Sequence, residues 1–70
     1  MLTGVVKWFD DKKGFGFIAG DDGQDIFVHY SGIVGTGYRT LEANMAVEYE
    51  IEDTPRGAKA INVQEIKRVQ

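Results

Sequence analysis

The chain has 70 residues, 43% hydrophobic and 27% charged, with no cysteine; this is the balance of one small folded domain, expected to span 1–70, and it excludes a disulfide framework and a thiolate metal site. The single His29 leaves no imidazole cluster for zinc, and no apolar run approaches the roughly 18 residues a bilayer span needs. Net charge is -3, from eight Lys and Arg against eleven Asp and Glu, so a polyanionic partner would have to find its positive charge locally.

β-Branched and aromatic residues recur in short runs bounded by Gly, Asp and Asn, the pattern of strands separated by turns. Residues 2–10 (LTGVVKWFD) form the first run, and Asp11-Lys12-Lys13-Gly14 the turn after it. Val6 and Trp8 share a face there, although Val6 reads as core and Trp8 need not. A bulge or strong twist near Lys7 would resolve the conflict. The second run, Phe15 to Gly20, sets Phe15, Phe17 and Ala19 against Gly16, Ile18 and Gly20. Asp21-Asp22-Gly23 is a hairpin turn signal. The third run, Gln24 to Tyr30, sets Asp25, Phe27 and His29 against Ile26 and Val28.

Residues 31–44 are Gly-rich and weakly patterned, which predicts a helical turn capped by Ser31 and then a long loop. The fourth run, 46–53, places Val47, Tyr49 and Ile51 on a core face and Glu48, Glu50 and Glu52 on a solvated face directed away from any polyanion. Thr54-Pro55-Arg56-Gly57 puts proline where a β-turn wants a preset φ, and Ala58 to Ile66 supplies a fifth strand. Five short strands without a helix of three turns predict an all-β fold, a small five-stranded antiparallel barrel, because closure removes sheet edges. Ile18, Ile26, Val28, Val47, Ile51, Ile61 and Val63 are expected to fill it.

The aromatics carry the functional signal. Phe15 and Phe17 oppose Ile18 in parity, and Phe27 and His29 oppose Ile26 and Val28. If the aliphatic face is the core, these four rings stand together outside, an apolar patch that a soluble protein keeps for a partner. Gly14 and Gly16 are expected to leave flat, open backbone beside them. Lys7, Lys12 and Lys13 edge the surface, with Trp8 among them. Rings for stacked bases, edged by cations for phosphates, suit single-stranded nucleic acid.

Lys13-Gly14-Phe15-Gly16-Phe17-Ile18 and Asp25-Ile26-Phe27-Val28-His29-Tyr30 resemble the two ribonucleoprotein motifs of the bacterial cold-shock proteins. Gly4-Val5-Val6-Lys7-Trp8-Phe9-Asp10 resembles that family's opening strand, and Leu41-Glu42 and Arg56-Gly57 its later landmarks. The resemblance covers essentially the whole chain. It implies a barrel of the oligonucleotide-binding type that binds single-stranded RNA and DNA and acts as an RNA chaperone in the stress response, with an influence on transcription and translation. By this resemblance Lys7, Trp8, Lys13, Phe15, Phe17, Phe27, His29, Tyr30 and Tyr38 map to ligand-contacting positions, with Phe9, Asp25 and Arg56 as additions. Tyr30 and Tyr38 stand where phenylalanine is usual, Asp10 where asparagine is usual, and Val5 where a basic or polar residue is common. The tyrosines still stack, whereas Asp10 and Val5 lower the local positive potential.

No nucleophile accompanies His29, and Asp25 lies four residues away along the same strand, so no catalytic residue, metal or cofactor is expected. The expectation is a cytoplasmic monomer that is not an enzyme and has no membrane partner. The alternative from another class is a small barrel that grips Pro-rich peptides in an aromatic groove; such a groove would not need the lysines at its rim.

Overall fold

The computed structural model describes residues 2–34 and 40–66. Among them five strands, β1 (Leu2–Asp10), β2 (Phe15–Gly20), β3 (Asp25–His29), β4 (Ala46–Thr54) and β5 (Gly57–Glu65), close into a barrel in the order β1-β2-β3-β5-β4. A 3-10 turn, Tyr30–Gly32, follows β3. No helix among the described residues is long and apolar enough to cross a membrane.

The expected all-antiparallel arrangement needs one correction. β1 pairs antiparallel with both β2 and β4, β2 with β3, and β4 with β5, but β3 and β5 run parallel, with Phe27 opposite Lys59 and Val28 opposite Ala60. Five strands cannot alternate in direction all the way around a closed ring, so one neighbouring pair must be parallel. The long connection after β3 lets it be this one, since parallel neighbours cannot be joined by a tight hairpin. Ile33 extends the seam by bridging to Val63.

Two bulges set which residues face inward. On β1, Val6 pairs with Ile18 and Trp8 with Phe17, so Lys7 is the extra residue and the strand changes parity there. This settles the conflict at Val6 and Trp8: Val6 is buried and Trp8 is 43% exposed. On β5, Gln64 faces Glu48 and Ile61 faces Glu50, so two residues, Asn62 and Val63, oppose Tyr49 alone. Asn62 takes φ 53 at this bulge, and its Nδ2 donates to Glu50 Oε1 at 3.2 Å.

The core is Val6, Ile18, Ile26, Val28, Ile33, Leu41, Val47, Tyr49, Ala60 and Val63. Two residues expected in it lie elsewhere. The bulge at Asn62 turns Ile61 outward and puts Ala60 and Val63 inside. Ile51 keeps its inward parity but lies on the stretch of β4 past its pairing with β1, which ends at Tyr49, and is 37% exposed.

The turns hold their donors with short acidic side chains. Asp10 Oδ1 accepts from the backbone N–H groups of Lys12 and Lys13, both at 3.0 Å, and Asp22 Oδ1 accepts from Gln24 N–H at 3.1 Å, local bonds of the kind that favour turns over continued strand. Thr3 Oγ1 donates to Asp21. The β4–β5 hairpin turns at Pro55 and Arg56 between the paired Thr54 and Gly57, where φ 119 requires glycine.

Candidate functional site

Register builds the candidate site. Directly paired residues share a sheet face, and here the outward pairs are Trp8 with Phe17, Phe17 with Phe27, and Phe15 with His29. The rings touch: centroids lie 5.6 Å apart for Trp8 and Phe17, 5.8 Å for Trp8 and Phe15, and 5.9 Å each for Phe15 with Phe27 and Phe17 with Phe27. Phe15 and Phe27 are stacked at 30°, while Phe17 meets Phe27 edge to face at 76°. The result is one continuous aromatic platform outside the barrel on β1, β2 and β3, with Trp8 exposed and Phe15, Phe17 and Phe27 half-buried against one another.

His29 and Tyr30 extend it, with ring centroids 4.6 Å apart. The cap of the 3-10 turn is His29, not Ser31 as its sequence suggests: His29 Nδ1 accepts from Ser31 N–H at 3.3 Å and lies 2.8 Å from Ser31 Oγ. A backbone N–H can only donate, so Nδ1 is an acceptor and the neutral ring carries its proton on Nε2. Tyr30, whose strand parity points to the core, is 49% exposed because β3 ends at His29 and the turn rotates the next ring outward.

The expectation of open backbone at Gly14 and Gly16 is wrong. Both are buried. Gly14, at φ 79, lies under the Tyr30 ring, where an added Cβ would come within 2.8 Å of Cδ1; at Gly16 it would meet the Trp8 carbonyl oxygen at 2.2 Å. These glycines let neighbouring groups approach closely from behind and do not widen the platform.

The charged groups are more engaged than their sequence positions suggest. Lys7 Nζ bonds Asp25 Oδ2 at 2.9 Å, with side chains 46% and 53% exposed. Lys13 is exposed, its backbone held by Asp10. Arg56 stands on the β4–β5 hairpin, which forms the second wall of a groove of about 800 Å³; Phe17, Asp25, Phe27 and His29 form the first. Phe9 is apart from these residues. It pairs with Gly16, takes the inward parity and packs against the core. Tyr38 lies outside the described residues. Lys59 and Thr54, both on the groove, are missed by sequence reasoning. The signal for Lys59 is its pairing with Phe27, which is invisible until the parallel seam is known.

Among the described residues no group of three or more His, Cys, Asp or Glu side chains could hold a metal ion. The geometry offers stacking faces, a groove and a few cations. A family model described as the 'Cold-shock' DNA-binding domain matches residues 2–66. The chain belongs to the cold-shock domain family. It is 55% identical over 67 residues to "Probable cold shock protein A" of Mycobacterium tuberculosis, covering 94% of this chain and 100% of that protein. It is 54% identical over 63 residues to "Cold shock-like protein CspD" of Bacillus cereus, covering 90% of this chain and 96% of the relative. Lactiplantibacillus plantarum "Cold shock protein 2" is 52% identical over 64 residues, 91% of this chain and 97% of its own. The matching family is described by its DNA binding, and this chain is a nucleic-acid-binding cold-shock protein.

Proposed function

We propose that this chain binds single-stranded RNA and DNA with little sequence preference and serves as an RNA chaperone, acting as a single-domain cytoplasmic monomer that catalyses no reaction. The observation that carries the reading is the platform of four rings in mutual contact on the outer face. Every base has a π-face, so a row of rings accepts successive bases without reading their edges.

Trp8, Phe15, Phe17, Phe27, His29 and Tyr30 stack bases; Lys7, Lys13 and Arg56 meet phosphates; Asp25 lines the groove where base edges lie. Tyr38 joins them on the family resemblance. Phe9 supports the platform from the core side. A base stacked on this face cannot pair, so weak RNA hairpins are held open while each contact stays exchangeable, and transcription and translation respond to the opened strands. No nucleotide hydrolysis is required.

Titration with oligothymidine tests the reading, because Trp8 is in the platform and reports stacking by quenching. Single strands quench it and a blunt duplex of the same length does not, since the duplex hides its base faces. Equal affinity for the two, or displacement of the oligonucleotide by a Pro-rich peptide at the same groove with no quench by single strands, overturns it.

A further inference from the structure

Four strand registers place Trp8, Phe17, Phe27, Lys59 and Glu52 in one row across the outside of the barrel: Trp8 opposite Phe17, Phe17 opposite Phe27, Phe27 opposite Lys59, and Lys59 opposite Glu52. Three rings are followed by a cation and then by a carboxylate. Lys59 also lines the groove between the platform and the β4–β5 hairpin. Its Nζ is 3.6 Å from Glu52 Oε1, beyond hydrogen-bonding distance, with side chains 35% and 53% exposed. The pair is loose and wet, so little holds Lys59 to Glu52.

We infer that Lys59 is a phosphate-contacting residue of the nucleic-acid site, and that Glu52 is its internal competitor. The inference rests on the reading of the platform as a base-stacking face. A strand laid along the row puts bases on Phe17 and Phe27 and carries its backbone past the end of the rings, where Lys59 is the next side chain. There Lys59 exchanges a screened carboxylate for a phosphate. Glu52, freed by the exchange, lies one strand further on and repels the chain beyond. The row therefore has a built-in end: the platform accepts a strand up to Lys59, and the glutamate limits the run. The outer glutamates of β4 are thus not all remote from the site, as their sequence pattern suggests; Glu52 stands at its rim.

Binding of oligothymidine to the full chain, measured against salt, tests this. For single strands each neutralised phosphate contributes about -0.7 to the slope of log affinity against log salt. Lys59→Gln makes the slope shallower by about 0.7, and Lys59→Arg keeps it. Glu52→Gln raises affinity at low salt by about 1.5- to 5-fold, the worth of an exposed ion pair that no longer competes. Glu48→Gln makes the same change in net charge beside Thr3, away from Lys59, and sets the baseline. In the Lys59→Gln background, Glu52→Gln has no more effect than Glu48→Gln. A native slope in Lys59→Gln, or equal gains from Glu52→Gln and Glu48→Gln, overturns the inference. Phe17→Ala separates the two levels: if it weakens binding while Lys59→Gln leaves the slope unchanged, the stacking face stands and Lys59 is only a neighbour. If Phe17→Ala binds as the native chain does, the platform reading fails first and takes this inference with it.

Discussion

Replacing Phe17 with alanine separates the two jobs its ring performs, because the ring is half-buried against other rings and not in the core. Its centroid lies 5.6 Å from Trp8 and 5.9 Å from Phe27. Each such pair is worth about 0.5–1.5 kcal/mol beyond burial. The vacated space opens to solvent, so no cavity term is added. Folding should therefore weaken by about 1–3 kcal/mol, at most the low end of the roughly 3–5 kcal/mol that a buried phenylalanine costs when cut to alanine. For a domain of this size that lowers Tm by about 4–24 °C. Binding loses one stacked base, about 1–3 kcal/mol, or roughly a 5- to 150-fold weaker Kd. Because Trp8 touches Phe17, its fluorescence changes in the free variant, and anisotropy of a labelled oligothymidine is the cleaner titration, run beside thermal melts at the same salt. A Tm collapse of core size with native affinity in the molecules still folded would mean the ring is structural and the sheet has been assigned the wrong face for binding.

In the native chain the salt slope should be shallow, roughly -1.5 to -2 for the two or three phosphates met by Lys7, Lys13 and Arg56, with about -0.7 more from Lys59; Lys13→Gln removes about 0.7 of it while Phe17→Ala leaves it unchanged. Equal flattening by both would end the division of labour between lysines and rings. Asp10→Ala should destabilise by about 1–2 kcal/mol through the two lost backbone bonds, whereas Asp10→Asn keeps an acceptor at that place, retains stability and tightens binding by up to about fivefold; chemical denaturation and titration read the two effects separately. Burial, with Asp22 and Asp21 nearby, holds the Tyr49 phenol above its usual pKa of 10.0. The folded state therefore keeps a proton that the unfolded chain loses first: the stability is fully present below about pH 10 and falls as pH rises from there through the folded value, by at most about 1.4 kcal/mol per pH unit. Denaturant melts from about pH 9 to pH 11 should show this loss, with Tyr49→Phe lacking the part due to Tyr49; an identical alkaline decline in the variant would assign it to other groups.

How far the site can be read from sequence depends on whether strand parity survives. In β2 and β3 nothing interrupts the alternation, so the inward Ile18, Ile26 and Val28 and the outward Phe15, Phe17, Phe27 and His29 are legible residue by residue. In β1 the alternation breaks at Lys7, and the break is legible because it leaves an aliphatic core residue and a tryptophan on one apparent face. The break in β5 leaves no such conflict. Ile61 and Val63 are both apolar, so a regular strand looks satisfied with both inside, and only the pairing with β4 shows that Asn62 is the extra residue. Asn62 at φ 53 is the one local hint, since asparagine tolerates that region better than most side chains. The parallel seam is illegible for a different reason. It brings together residues some 30 positions apart with no turn to announce them, and with it goes the neighbourhood of Phe27 and Lys59. Gly14 and Gly16 mislead because a glycine opens space on one side only when nothing else uses it, and here Tyr30 and the β1 backbone do.

An acidic chain that binds a polyanion needs its carboxylates occupied elsewhere, and several are. Asp10 and Asp22 cap turns, Asp21 holds Thr3, Glu50 holds Asn62, and Asp25 and Glu52 face Lys7 and Lys59. The first four are tied to neutral donors, so their negative charge remains and repels phosphate weakly from a distance, screened beyond about 10 Å at ordinary salt. The last two do something different: they occupy the lysines at the two ends of the row that runs from the Lys7 bulge past Phe17 and Phe27 to Lys59. A phosphate arriving at either end displaces a carboxylate and not merely water, so each ion contact yields less than a free lysine would. Affinity must then come mostly from the rings, whose contribution salt does not screen. On the proposed reading, the same acidity that makes the chain a poor electrostatic trap keeps the salt dependence of its grip on single strands shallow rather than steep, and lets a bound strand leave once its bases find a pairing partner.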